Sequence, residues 1–367
     1  MKQNCRLVKE GDLLLFSHGL TGHRDSWLRI FARDALIKGR TIHFVVGVDH
    51  SNMQFLEILV QEFGQTLCLH SIHNGSHGIE AEILCLRSEF PGLTIATWEG
   101  EEWLKLLLKL RINLRILFMR PYIQNLNPKG AANFFIKYVF IFTFRHFSGN
   151  QIGLLAIPGD TPKILRNSWV DDVQSDYDDY KFQLSSYRER LRDEIGISSQ
   201  AKIILVPGFI TKRKNPQLAI EAFGVWMEKR PKNKYVLVFG GKLDKESERL
   251  VAKLQGKGIY ALNRYLSKAE YFALLEEANL VLLLYSNRAS SGVVIDAITV
   301  STPVLLIGDK RWQNLFERFP ELVARASRTP KALSNEIQVI LSKHNQSKQK
   351  RQWREDRKDV IEFFNNT

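Results

Sequence analysis

The chain has 367 residues, 44% of them hydrophobic and 25% charged, which suffices for two ordinary domains with full cores and excludes a disordered protein. Its net charge of +13 favours an anionic partner: nucleic acid, an acidic membrane face or a phosphorylated substrate. The three cysteines, Cys5, Cys68 and Cys85, have no metal-type spacing, and their low, odd number predicts reduced thiols and a cytoplasmic protein. The opening residues lack the apolar run of a signal peptide.

Along the first half, strands and helices alternate. Residues 12–17 read as a short apolar strand, followed by a glycine-bearing turn with His18, Gly19, Gly22 and His23. Residues 26–38 are helical in period, with Trp27, Ile30, Phe31 and Leu36 on the apolar side, and Gly39 stops them. Further strands are predicted at 42–48, 66–70, 93–97, 115–119 and 152–157, with helices at 54–63, 80–89 and 101–110. Residues 131–147 are apolar but too short to span a bilayer comfortably and carry Lys137 and Arg145, so a buried helix is predicted. The stretch 103–117 mixes leucine with Lys105, Lys109, Arg111 and Arg115, a pattern suited to lying on anionic lipid.

An acidic, turn-rich segment at 170–180 marks a domain boundary. The predicted domains are residues 1–175 and 176–345, with a charged helical tail at 346–367. The second domain repeats the alternation. Its strands are predicted at 202–206, 235–239, 258–262, 280–284 and 303–307, and its helices at 187–194, 216–229, 246–255, 268–277, 293–300, 312–319 and 331–344. Strands alternating with helices predict parallel, doubly wound α/β sheets. Two such halves put carboxyl strand ends across a cleft, which suits a reaction joining two substrates.

Two loops of the second half carry the chemistry. After strand 280–284, a polar loop opens a helix near Gly292. A helix start offers unpaired N–H groups and a partial positive charge to an anion. Ser290 or Ser291 can cap it, Gly292 lets a ligand approach, and Asp296 can take ribose hydroxyls. The same spacing also suits an ordinary strand–loop–helix. After strand 202–206 come Gly208, Lys212, Arg213 and Lys214, just before a helix that Pro216 can start. Cations at a helix start stabilise a diphosphate and the charge it gathers on leaving. A solvated basic turn would look alike.

Taken together, five segments in order resemble the nucleotide-sugar-binding half of family 4 (group 1) glycosyltransferases. They are Leu191-Arg-Asp-Glu-Ile-Gly-Ile197, Val206-Pro-Gly-Phe-Ile-Thr-Lys-Arg-Lys-Asn215, Val236-Leu-Val-Phe-Gly-Gly241, Ala278-Asn-Leu-Val-Leu-Leu-Leu-Tyr285, and Ser290-Ser-Gly-Val-Val-Ile-Asp-Ala297 leading to Thr302-Pro-Val304. The first half resembles that family more loosely, through Gly19-Leu-Thr-Gly22. The resemblance implies the GT-B fold: two Rossmann-like domains facing each other across a cleft, with a C-terminal helix crossing back to the first. It implies a retaining transfer from a UDP- or GDP-sugar to a glycan or lipid-linked acceptor, in cell-envelope or exopolysaccharide synthesis, with no metal and no other cofactor. Lys214 matches the family's phosphate-binding lysine, and Arg213 takes the part of an arginine whose usual place holds Phe209. Asp296 matches the second acid of the family's paired motif, Ser291 and Gly292 the backbone that meets the diphosphate, and Gly19 and Gly22 the glycine loop of the first domain.

The sequence departs from the family twice. Arg288 stands where the first acid is usual, so a relative that binds nucleotide-sugar or glycan with altered or lost catalysis is the alternative. The first-domain strand end, Thr97-Trp-Glu-Gly-Glu-Glu102, lacks the family's histidine, leaving Glu99 or Glu101 as polar contacts and His18 and His23 as the best histidine candidates. An α/β-hydrolase reading of Ser17-His-Gly19 fails for want of a nucleophile elbow, since Asn74-Gly-Ser-His-Gly78 is only a near miss. A nucleic-acid binder is disfavoured because no zinc knuckle, RNP-like motif or helix-turn-helix accompanies the charge. The expected location is cytoplasmic, at most peripheral on the inner face of an anionic membrane.

Overall fold

The computed structural model describes residues 12–18, 24–47, 50–72, 75–110, 114–118, 128–144, 150–156, 169–171, 177–228, 230–231, 234–285, 292–307, 316–317 and 319–344. Contacts divide the chain into two compact units.

The first unit is built on strands β1 (Leu13–Ser17), β2 (Ile42–Gly47), β3 (Leu67–Ile72), β4 (Thr94–Thr97), β5 (Leu114–Phe118), β6 (Gln151–Ala156) and β7 (Trp169–Asp171). They pair in parallel in the order β3-β2-β1-β4-β5-β6-β7. Helices α1 (Arg24–Lys38) and α2 (His50–Phe63) cover one face; α3 (Gly75–Glu89), α4 (Leu104–Leu110) and α5 (Pro128–Phe144) cover the other. Strands buried on both faces read as continuous apolar runs, which is why β1, β2 and β5 are legible.

Helix α5 corrects the expectation of a buried segment. Phe140, Ile141 and Phe144 are buried, but Phe135, Ile136, Val139 and Phe142 are 49–69% exposed. Nor is 103–117 one basic helix. It ends at Leu110, and Arg115 is a buried residue of β5. Among the described residues, no helix is long and apolar enough to cross a membrane. Cys68 also departs from the prediction of reduced thiols: it is disulfide-bonded, while Cys85 is free.

The second unit begins with α6 (Tyr177–Tyr180) and α7 (Leu184–Ile195). It continues through β8 (Lys202–Pro207), α8 (Pro216–Met227), β9 (Tyr235–Gly240), α9 (Lys245–Ala252), β10 (Ile259–Leu262), α10 (Lys268–Glu277), β11 (Ala278–Leu283), α11 (Gly292–Thr299), β12 (Val304–Ile307), β13 (Val323–Ala326) and α12 (Pro330–His344). Six strands pair in parallel in the order β10-β9-β8-β11-β12-β13. Two buried clusters, one on each face of the sheet, fill the unit. Gly196, at φ 77, closes α7 by donating to the carbonyls of Arg192 and Asp193. Ser267 and Glu270 form a capping box at the start of α10. The predicted tail helix at 346–367 and most of the predicted helix at 312–319 lie outside the described residues.

Candidate active site

Open parallel sheets bind ligands beyond the carboxyl ends of their strands, where the strand order reverses. In the second sheet that point lies between β8 and β11. β8 ends at Pro207, and Gly208 follows at φ +80. Lys212, Arg213 and Lys214 form a short 3-10 turn, and Pro216 is the first residue of α8. Lys212 and Arg213 point outward, but Lys214 is only 5% exposed and its Nζ donates to the Pro207 carbonyl. Burial, and then the charge of Arg213, pull its amine from the ordinary lysine range down to about 7.

Two glycines make the room. A Cβ on Gly208 would lie 2.8 Å from the Lys214 Nζ. One on Gly241, whose φ is +146, would lie 2.5 Å from the Gly208 carbonyl oxygen.

The turn is tied to the end of β11. Asn215, left-handed at φ 49, donates its Nδ2–H to the Leu284 carbonyl at 2.6 Å. The Arg213 guanidinium lies over the Tyr285 ring, 5.1 Å from its centroid. Helix α11 then starts at the buried Gly292. Asp296, one turn in, is 3% exposed, and its Oδ2 accepts a hydrogen bond from the Tyr271 hydroxyl at 2.9 Å. Tyr271 sits on α10 and escaped the sequence reading, because only helix packing brings it to Asp296. The structure thus gathers Gly208, Lys212, Arg213, Lys214, Gly292 and Asp296 at the two strand ends that flank one switch point. Arg288, Ser290 and Ser291 lie outside the described residues.

The first sheet has its own switch point, between β1 and β4. Glu99 lies there, 2% exposed. Its Oε2 accepts from the Ser17 hydroxyl at 2.9 Å, the His18 backbone N–H at 2.8 Å and the Trp103 indole N–H at 3.3 Å. Glu99 therefore fixes the end of β1 from beneath. His18 stacks on Trp103, with ring centroids 3.9 Å apart, and its Nε2 lies 3.6 Å from Glu102. Gly19, Gly22 and His23 lie outside the described residues.

A buried amine with a lowered pKa, two exposed cations and a helix start converge at one strand-end pair. That arrangement can neutralise a multiply charged anion. Residues 187–360 match the family model of glycosyl transferases group 1. The match spans most of the second half of the chain. Comparison with curated protein sequences gives no match.

Solved structures extend the likeness to the whole chain. A glycosyltransferase from Rickettsia africae is 14% identical with a TM-score of 0.62, over 98% of this chain and 93% of its own. Anabaena HepE in complex with UDP and glucose is 13% identical with a TM-score of 0.62, over 97% and 93%. Sucrose-phosphate synthase from Thermosynechococcus elongatus is 14% identical with a TM-score of 0.61, over 97% and 93%. The fold is therefore GT-B.

Proposed function

We propose that this protein is a glycosyltransferase that moves a sugar from a UDP- or GDP-sugar to a glycan or lipid-linked acceptor, with retention at the anomeric carbon and without a metal in the transfer step. One observation carries the reading: Lys214, a buried amine with its pKa drawn down to about 7, lies at the β8 strand end in a turn tied to the end of β11. That HepE is in complex with UDP and glucose supports a nucleotide-sugar donor here.

In this reading the acceptor hydroxyl bonds to the anomeric carbon as the bond to the diphosphate oxygen breaks. The hydroxyl proton passes to the departing phosphate. The growing charge on the diphosphate draws Lys214 into its ammonium form, and Arg213 and Lys212 assist from the rim. Asp296, held by Tyr271, takes the ribose hydroxyls. The acceptor belongs to the first unit, where Glu99 fixes the backbone of His18. The exposed stripe of α5 and the +13 charge support a peripheral seat on an anionic membrane, where lipid-linked acceptors reside.

The test is a panel of UDP- and GDP-sugars, read first by thermal shift and then by transfer, comparing the native protein with Lys214→Met. Methionine keeps the volume and removes the charge. The transfer rate should fall about 10²–10³-fold, while the melting temperature of the free protein holds or rises, because no charge need be buried. Transfer that survives the substitution removes Lys214 from the mechanism. Donor binding without any turnover in the native protein favours the catalytically altered relative that Arg288 raises.

A further inference from the structure

Strand β3 is the edge of the first sheet, and its parallel register sets His43 of β2 opposite Cys68 and Val45 opposite His70. Because side chains alternate along a strand, His43, Cys68 and His70 share one face. Helix α3 adds Glu82 over them. None of these four residues has a part in the proposed sugar transfer.

The distances are those of a ligand set. His70 Nε2 lies 3.5 Å from His43 Nδ1 and 3.5 Å from Cys68 Sγ. All three atoms lie within 4.8 Å of one another. A tetrahedral zinc ion with Zn–S of about 2.3 Å and Zn–N of about 2.0–2.1 Å requires S···N edges of about 3.5 Å and N···N edges of about 3.3–3.4 Å. Glu82 Oε1 lies 3.1 Å from His70 Nδ1. A carboxylate there holds the ring proton on Nδ1 and leaves the Nε2 lone pair facing the cluster. A carboxylate behind a histidine is the arrangement that orients metal ligands.

We propose that His43, His70 and the Cys68 thiolate bind a divalent cation of the zinc class, with water or an added ligand in the fourth position, and that the redox state of Cys68 gates the site. Cys68 is disulfide-bonded in this state, and only the thiolate is a strong ligand. Reduction by a phosphine opens the site. The phosphine gives two electrons to the disulfide and leaves as its oxide with a water oxygen, and the two water protons go to the two released sulfurs. The cation then takes the Cys68 sulfur, and the thiol proton goes to solvent.

Cobalt(II) titration of the full chain, oxidised and phosphine-reduced, tests this. The reduced protein should bind one Co²⁺ with a thiolate-to-cobalt charge-transfer band, and the oxidised protein should show none. Cys68→Ser should abolish the band, while Cys85→Ser, at the free and exposed cysteine, should keep it. Glu82→Ala, on a partly exposed helix position, should keep the fold by circular dichroism and weaken binding about 10–100-fold. The proposal is overturned if the reduced protein shows no band, if the band survives Cys68→Ser, or if Glu82→Ala leaves the affinity within about 2-fold.

Discussion

Lys214 is costly to the fold as a buried amine, and in the proposed reaction that same cost becomes useful. Its amine is lowered from 10.5 to about 7 by burial and by Arg213. Between those two values the unfolded chain binds the extra proton, so this residue makes stability rise as pH climbs from 7 towards 10.5. In the proposed site, a bound diphosphate would reverse the preference by favouring the charged amine. Binding of UDP or GDP should therefore take up about one proton per site at pH 8 and almost none at pH 6. Calorimetry in two buffers of different ionisation heat measures this directly. Binding heats at pH 8 that do not depend on the buffer would count against the amine as a phosphate contact. Asp296 makes a second case. Tyr271→Phe removes the donor to a buried carboxylate oxygen and should cost about 1 kcal/mol in a denaturant melt. The same change should raise the KM for donor more than it lowers kcat, since the aspartate's aim is lost rather than its charge. Lys214 and Asp296 were both readable from spacing near strand ends; Tyr271 was not. Its helix precedes β11, and nothing in its own neighbourhood marks it as a partner.

At the level of elements, α7 and α10 are fastened by ion pairs rather than by apolar contact alone. Glu270 Oε1 accepts from Arg190 at 2.6 Å and Arg264 at 2.8 Å, and Glu270 also closes the capping box with Ser267. Burial pushes the Glu270 carboxyl up, but the bonds from Arg264 and Ser267 outweigh it and hold the pKa at about 2. A depressed carboxylate stabilises the fold fully above its unfolded value of about 4.5, and that stability is lost as pH falls through about 2. Urea melts should show this acid loss in the native protein and a shallower pH dependence in Glu270→Gln. The elements of the second unit were legible to within a few residues, because β8, β9 and β11 are unbroken apolar runs bounded by glycine or polar turns. The short strands β7 and β13 were missed: three and four residues give too little pattern to separate a strand from a turn. The wet stripe of α5 was missed for the opposite reason, since a helix apolar on all sides carries no periodic mark of which side faces water. The juxtaposition of His43 with Cys68 and His70 was hidden too, because it exists only through the register of two strands joined by α2.

For the molecule as a whole, the two sheets repeat one solution. Each reverses its strand order once at the pair that carries the candidate groups: β1 and β4 with Glu99 and His18, β8 and β11 with Lys214 and Asp296. The chain's excess of positive charge and the exposed Phe135, Ile136, Val139 and Phe142 make a further expectation at this scale. The protein should co-sediment with vesicles containing anionic lipid and leave neutral ones in solution, and salt should weaken the attachment. Replacing Phe135 and Phe142 with aspartate should release it without changing transfer to a water-soluble acceptor. Equal binding to neutral vesicles would dismiss the electrostatic part, and unchanged binding of the double variant would dismiss α5.

The contact between Gly241 and the Gly208 carbonyl sets a limit on how this sequence can drift. Neither residue has a side chain with which to bond a donor, yet even one added methyl at 241 would press on the backbone that shapes the Lys214 niche. Selection for turnover would thus hold position 241 as tightly as any charged group, and its invariance would report the closeness of two main chains rather than chemistry of its own.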